Sequence, residues 1–302
     1  MAVTRPERLD FLALRFIARA ERGFALANPY SDLHGGFGLM LHAHLRPIYE
    51  DLFGEQQGSS EVRGHVLRPA DGMLQPVRAG ERFAFELILV GPMVRHAAAC
   101  AEALAMLGRN GVTPARHRYT LEQIDRIAPT GATTLWSPDT GWCIAALAPV
   151  AAEELLQVRT QKAEGALLDF VGPVRIKSGN DLLEHCPPPR VLIERLLARA
   201  QLLAKQQDGA PLIDGDSKRE LLAQAETLSI PRNSLAWETI ERVAARDRRR
   251  MDLGGLSGVV VLDGPLGELE GWLRLGEWLH IGNKTSFGLG QYRFSTLPQP
   301  PR

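Results

Sequence analysis

The stretch RFAFELILVGPMVRHAAACAEALAMLGRNG, residues 82–111, decides the fold. Its first nine residues are nearly all apolar and rich in β-formers, the composition of a strand. From Met93 onward alanines and leucines recur at helical spacing, and the run stops on Gly111, a residue suited to ending a helix. Working outward, FLALRFIARAE (11–21) reads as a strand and DLHGGFGLMLHAHL (32–45) as a helix, with Asp32 as a possible N-cap. EVRGHVLRP (61–69) and RHRYTLEQI (116–124) read as strands, and ADGMLQPVRAGE between two of the strands carries Gly and Pro punctuation. The order is strand, helix, strand, strand, helix, strand, which is the ferredoxin-like βαββαβ unit. Residues 132–147 add a hairpin with SPDTG as its turn.

The second half repeats that order. ALLDFVGPVRI (166–176) reads as a strand and RVLIERLLARAQLLAKQ (190–206) as a helix with apolar residues three to four apart. A polar loop and a helix near 217–228 follow as an insertion. SLAWETIERVAARDRRRM (234–251) suits a long strand or a helix almost equally. LSGVVVLDG (256–264) is a strand, PLGELEGWLRLGEWLH (265–280) a helix and SFGLGQYRFS (286–295) a closing strand. The expected class is therefore α+β, with tandem ferredoxin-like (RRM-like, βαββαβ) domains over 1–160 and 161–302.

The 302 residues carry 45% hydrophobic and 23% charged side chains, normal for a chain with a real core. Basic and acidic residues balance at 35 each, so net charge argues neither for nor against nucleic acid. No apolar run approaches the roughly 18 residues of a membrane span, and the opening MAVTRPERLDF has no signal-peptide hydrophobic region. Cys100, Cys143 and Cys186 are far apart without a CxxC, which fits a reducing cytosol and argues against a disulfide frame or zinc ribbon. A cytoplasmic protein without a metal or other cofactor is expected.

Near the end lies HIGNKTSFGLGQYRF, residues 280–294. A phosphate-binding Walker loop is excluded, because Asn283 separates Gly282 from Lys284 and because a helix here runs into a strand rather than the reverse. Two readings stay open. Gly282, Gly288 and Gly290 could let backbone N–H groups of the loop approach a phosphodiester, with Lys284, Thr285 and Ser286 adding charge and hydroxyls. Alternatively, the glycines only permit the backbone angles of a tight connection.

These residues resemble a known family. LGGLSG before a strand, LRLGEWLHIG ending the helix and TSFGLGQY after it are similar to the C-terminal part of the Cas6 family, the CRISPR precursor-RNA processing endoribonucleases of the RAMP superfamily. NPYSDLHGGFGLMLHAHL (28–45) resembles that family's first helix. HVLRPADG, AGERFAFELILVG and AEALAMLGRNG resemble its following hairpin and second helix. The resemblance has gaps near 45–60, 128–165 and 205–235.

The resemblance implies two ferredoxin-like domains that bind CRISPR repeat RNA and cut it once per repeat without metal. The 2′-hydroxyl attacks the adjacent phosphate, leaving a 2′,3′-cyclic phosphate and a 5′-hydroxyl. Such chemistry needs a base, a proton source and positive charge near the transition state. In the family a histidine in or just after the first helix often serves. His34, His42 and His44 lie in that helix here. At 100° per residue His42 and His44 are about 200° apart. His44 falls on the apolar stripe of Leu33, Phe37, Met40 and Leu41, whereas His42 shares the other face with Gly35 and Gly38. His42 is therefore the first candidate for acid or base, with His34 and His44 behind it. Tyr30, Tyr49 or Lys284 could support a slower reaction. His42-Ala43-His44 as a zinc site lacks the further ligands zinc needs. His65 could enter the site from a neighbouring strand, and His280 could pack behind the loop.

Arg246, Arg248, Arg249 and Arg250 are the densest basic cluster. In a strand Arg246, Arg248 and Arg250 would share one face and could follow an RNA backbone; the plainer reading is a solvated surface. Arg116 with Arg118, and Arg175 with Lys177, make smaller pairs. Aromatics are only 6% and no RNP-type motif is present, so base stacking on a sheet face is not expected and RNA would lie along a cleft between domains. Repeat RNA, and subunits of a CRISPR effector complex, are the expected partners. A non-cleaving RNA-binding RAMP subunit and a ferredoxin-like small-molecule or metal-binding protein remain as alternatives.

Overall fold

The computed structural model describes residues 9–54, 62–70, 73–113, 115–160, 163–243 and 250–298. The chain forms two compact units: Asp10–Val150 with Arg242–Met251, and Met1–Leu9 with Ala151–Glu241 and Asp252–Arg302.

In the first unit β1 (Asp10–Ala20) leads to α1 (Pro29–His44), α2 (Arg46–Phe53), β2 (His65–Pro69), β3 (Arg82–Val90), α3 (Ala97–Asn110), β4 (Tyr119–Ala128) and β5 (Gly131–Ser137). Five strands of its sheet run in the order β2-β3-β1-β4-β5, each antiparallel to its neighbours, and the short segments Gly141–Trp142 and Val150–Ala151 add to β5 and β1. Alternation explains the layering. Leu12, Leu14, Phe16 and Ala18 of β1 join the core with Leu33, Phe37 and Leu41 of α1 and Leu104 and Leu107 of α3. Phe16 stacks on Phe85 with ring centres 5.2 Å apart. Tyr119, fully buried, donates its hydroxyl to the Leu104 carbonyl at 2.7 Å. On β1's other side, Arg15 at 2.7 Å and Arg68 at 2.6 Å flank the buried Glu86. Burial alone would push the Glu86 carboxyl up, but the two guanidiniums outweigh it and hold it below the ordinary range.

In the second unit α4 (Ala152–Leu156) precedes β6 (Ala163–Val174), α5 (Pro189–Asp208), α6 (Gly215–Thr227), β7 (Ser229–Asn233), β8 (Ala236–Glu238), β9 (Gly255–Asp263), α7 (Leu269–Leu279) and β10 (Arg293–Pro298). The sheet order is β7-β9-β6-β10, with β8 also pairing β9, and all pairs are antiparallel. In the first unit the central pair is β1 and β3, flanked by β4 and β2; in the second it is β6 and β9, flanked by β10 and by the interrupted strand β7 and β8. The tandem ferredoxin-like architecture is thus present twice over in the strand order.

Several boundaries differ from the sequence reading. The second helix begins at Ala97, not Met93, because Gly91–His96 forms a tighter 3₁₀ turn. The N-cap of α1 is Asn28, whose side chain accepts from the Ser31 N–H at 3.0 Å, and Asp32 lies inside the helix. Residues 234–251 are neither one strand nor one helix. Ser234 interrupts the ladder, taking the Val259 N–H on its own hydroxyl at 3.0 Å while donating its N–H to the Val259 carbonyl at 2.8 Å. Short strands follow at Ala236–Glu238 and Glu241–Val243, and Arg250–Asp252 pairs with the latter. The closing strand starts at Arg293, not Ser286. Among the described residues no helix is long and apolar enough to cross a membrane.

Candidate active site and nucleic-acid interface

Helix α7 ends at His280, whose φ of 62° turns the chain back. His280 is fully buried, and its Nδ1 lies 3.0 Å from the Leu289 carbonyl. The glycine-rich loop is stitched to the end of β6 through its backbone. Asn283 N–H donates to the Arg175 carbonyl and Gly290 N–H to the Pro173 carbonyl, both at 2.8 Å, and Ile281 N–H donates to Gly290 at 3.1 Å. A Cβ at Gly282 would collide with the Arg175 carbonyl, and one at Gly290 with the Ile281 carbonyl. Both glycines also have φ near +80°, at 87° and 74°. Gly288 N–H is used within the loop, donating to Thr285 at 2.8 Å. Thr285, Ser286, Phe287 and Leu289 are buried.

The glycines therefore serve a tight connection in which the chain approaches its own backbone, and the amides of Gly288 and Gly290 face protein carbonyls. What the loop offers to solvent is its tip, the exposed Asn283 and half-exposed Lys284. Of the basic residues, Arg246, Arg248 and Arg249 lie outside the described residues, and Arg250 opens the short strand Arg250–Asp252. Arg175 is engaged internally with Asp252 at 3.2 Å and with the Gly254 carbonyl, while Lys177, Arg116 and Arg118 are exposed.

The three helix histidines separate by environment, in a different order from the helical projection. His34, not His44, is the buried one: it is 3% exposed, 5.6 Å ring to ring from the fully buried His65 and 5.0 Å from Phe53. His44 is exposed at the end of α1, and Tyr30 is buried in its first turn. His42 is half-exposed and is the histidine with a built surrounding. Leu45 both closes α1 and opens α2, and Pro47 sits in the first turn of α2, where its missing N–H costs nothing. This corner folds Arg46 and Tyr49 back on the last turn of α1. His42 Nε2 lies 2.6 Å from an Arg46 guanidinium nitrogen. The His42 and Tyr49 rings meet edge to face at 4.9 Å, and Tyr49 stacks on Phe53 at 5.2 Å. Arg46 lies 5.7 Å above Tyr49 and donates through Nε to Glu50 at 2.8 Å.

Arg46 and Glu50 were not legible as site residues, because they lie on the polar face of α2 and their contact to α1 depends on the angle of the corner. A second cluster across α2 was also missed. Asp51 accepts from Arg95 at 2.8 Å and lies 2.8 Å from His96 Nε2. Those hydrogen bonds, Arg95 first, hold the Asp51 carboxyl below its ordinary value. Among the described residues no group of three or more His, Cys, Asp and Glu side chains converges as metal ligands would.

Comparison with known proteins follows the same division. The family model described as CRISPR-associated endoribonuclease Cas6 matches residues 168–292, and a second model, described as an N-terminal domain, matches 9–148. No curated protein sequence matches the chain. Among solved structures the chain is similar to Thermus thermophilus Cas6 (TTHB231), with 17% identity to its product complex over 95% of this chain and 99% of that one, TM-score 0.63. It is similar to the product complex of Cas6 (TTHA0078), with 20% identity over 96% and 100% of the two chains, TM-score 0.57. It also matches a chain of the partial Cas6-RT-Cas1–Cas2 complex, with 15% identity over 99% of this chain and 48% of that one, TM-score 0.65. At these identities the structural likeness speaks to the fold.

Proposed function

We propose that the chain, matched over residues 168–292 by the CRISPR-associated endoribonuclease Cas6 family model, is an enzyme of that family and cuts CRISPR precursor RNA within the repeat by metal-independent transesterification. His42 moves the proton and Arg46 supplies the positive charge. The 2′-oxygen forms a bond to the adjacent phosphorus, the bond to the 5′-oxygen breaks, and the products are a 2′,3′-cyclic phosphate and a 5′-hydroxyl. The 2′-hydroxyl proton must go to a base, and the leaving 5′-oxygen must receive one. A histidine suits either transfer near neutral pH. The crowded negative charge on the non-bridging oxygens is met by a guanidinium, whose fork of donors matches two phosphate oxygens.

The observation that carries this reading is the 2.6 Å approach of Arg46 to Nε2 of a solvent-reachable histidine, in a corner built by two helices. His34 and Tyr30 are buried and His44 has no described partner in that corner, so they rank behind His42. Lys284 at the loop tip is a candidate for contacting the RNA backbone, together with Lys177, Arg116 and Arg118. Buried Thr285, Ser286, Gly288 and Gly290 support the loop more than they offer contacts.

The test is to incubate the protein with repeat RNA in EDTA and to analyse the ends. A single cut with a cyclic phosphate is expected, abolished in His42→Ala with binding kept within a few fold. Tight binding with no cut by the unaltered protein would instead favour the non-cleaving subunit of an effector complex.

A further inference from the structure

The contact that marks His42 as reactive also blocks it. A guanidinium has only donors, so in the bond to Arg46 it is Nε2 of His42 that accepts, and the ring proton sits on Nδ1. While that bond stands, Nε2 can neither take a proton from a 2′-hydroxyl nor hold one for a leaving oxygen. Arg46 is in turn anchored by Glu50 one helical turn on, through Nε at 2.8 Å. The side chains of this ion pair are 58% and 60% exposed. Such an exposed i,i+4 pair is weak in water, so a competing anion can displace the carboxylate. A phosphodiester is that anion, because two of its oxygens can meet the guanidinium fork at once.

Building on the function proposed above, we propose that Arg46 and Glu50 form a resting latch on His42, opened by the RNA phosphate itself. The phosphate draws Arg46 away from both Nε2 and Glu50. That one movement frees the imidazole for proton transfer and delivers the cation to the reacting group. Glu50 never touches RNA in this account. It is a positioning residue that sets how readily the latch opens. Tyr49 keeps the imidazole in place when Arg46 leaves both it and His42, since Tyr49 meets His42 at 4.9 Å and is itself held by its stack on Phe53 at 5.2 Å. The free enzyme therefore rests with its proton carrier occupied.

Two measurements test the latch, both with full-length protein and an uncleavable repeat RNA carrying 2′-deoxy at the cut site. The first uses protein labelled with 15N in histidine, with the His42 signals assigned by comparison with His42→Ala. Nε2 should report an accepted hydrogen bond in the free protein and lose that signature when RNA is added. In Arg46→Ala the unbonded signature should be present from the start and RNA should not change it. The second compares RNA affinity for Glu50→Gln in two backgrounds. With Arg46 present the change should tighten binding about threefold, in keeping with a weak exposed pair; in Arg46→Ala it should do nothing. A tightening of equal size in both backgrounds would be a general charge effect and would overturn the latch, as would an Nε2 signal indifferent to RNA. Cleavage by His42→Ala, assayed alongside with cleavable RNA, addresses the function proposal separately. Survival of cutting removes His42 as proton carrier, whereas absence of the Glu50–Arg46 coupling removes the latch.

Discussion

A methyl group at Gly290 would strike the Ile281 carbonyl, and the position also has φ of 74°. Gly290→Ala should therefore lower stability by about 2–4 kcal/mol, since a steric clash and a left-handed backbone penalty act together. A thermal melt that shifts by less than a degree would contradict this. His42→Ala should slow cleavage by about 10²–10⁴-fold, the usual size of a general acid–base contribution. His44→Ala should stay within a few fold, and single-turnover assays of the two variants decide the assignment. The sequence ranked His42 first and put His44 on the core stripe, whereas His34 is the buried one and His44 is exposed. The reason is physical: His34 precedes Phe37 by three residues and Leu41 by seven on the buried stripe, whereas His44 closes the last turn, where the chain leaves the core. The glycines add close approach by neighbours to that stripe. A Cβ at Gly36 would come within 2.7 Å of Leu107, and one at Gly38 within 3.0 Å of Phe53.

Strands and helices with strong periodicity were readable one by one, and the order of six elements in each half sufficed for the topology. β1, β3, β9 and α5 fall within a few residues of their sequence limits, because each has a full apolar face to bury. The failures sit where a local bond overrides the pattern. Ser234 substitutes its hydroxyl for a ladder partner and divides what alternation alone makes one strand. Helix α2 buries a short apolar stripe, Ile48, Tyr49, Leu52 and Phe53, that the sequence reading passed over. The caps are stricter than the periodicity suggests. Asn28→Ala removes the acceptor of the Ser31 N–H and should cost about 1 kcal/mol. Asn28→Asp should recover most of that loss in the same denaturant titration.

For the molecule as a whole, acid is the informative stress. Glu86 is held below the ordinary value of 4.5 by Arg68 and Arg15 despite its burial. Glu270 is likewise held low against the upward push of burial, by Thr160 first and then by Arg274. A carboxyl with a depressed folded-state pKa contributes stability above its unfolded value and loses it as pH falls through the folded one. Each unit contains a buried group of this kind, so the unfolding free energy should decline below about pH 4.5, and should hold nearly level above it on these two groups' account. Glu86→Gln and Glu270→Gln should start less stable and show a shallower decline; an unchanged slope in urea titrations from pH 5 to 3 would count against both assignments. The units themselves are not consecutive halves. Leu9, at the head of β1, hydrogen-bonds to Ala152 in the second unit's own contact group, and Arg242–Met251 falls in with the first unit although both its flanks lie in the second. No single cut in the gene yields two intact folding cassettes. Recombination between relatives should therefore succeed when it exchanges the whole pair, and fail when it swaps one half at residue 150.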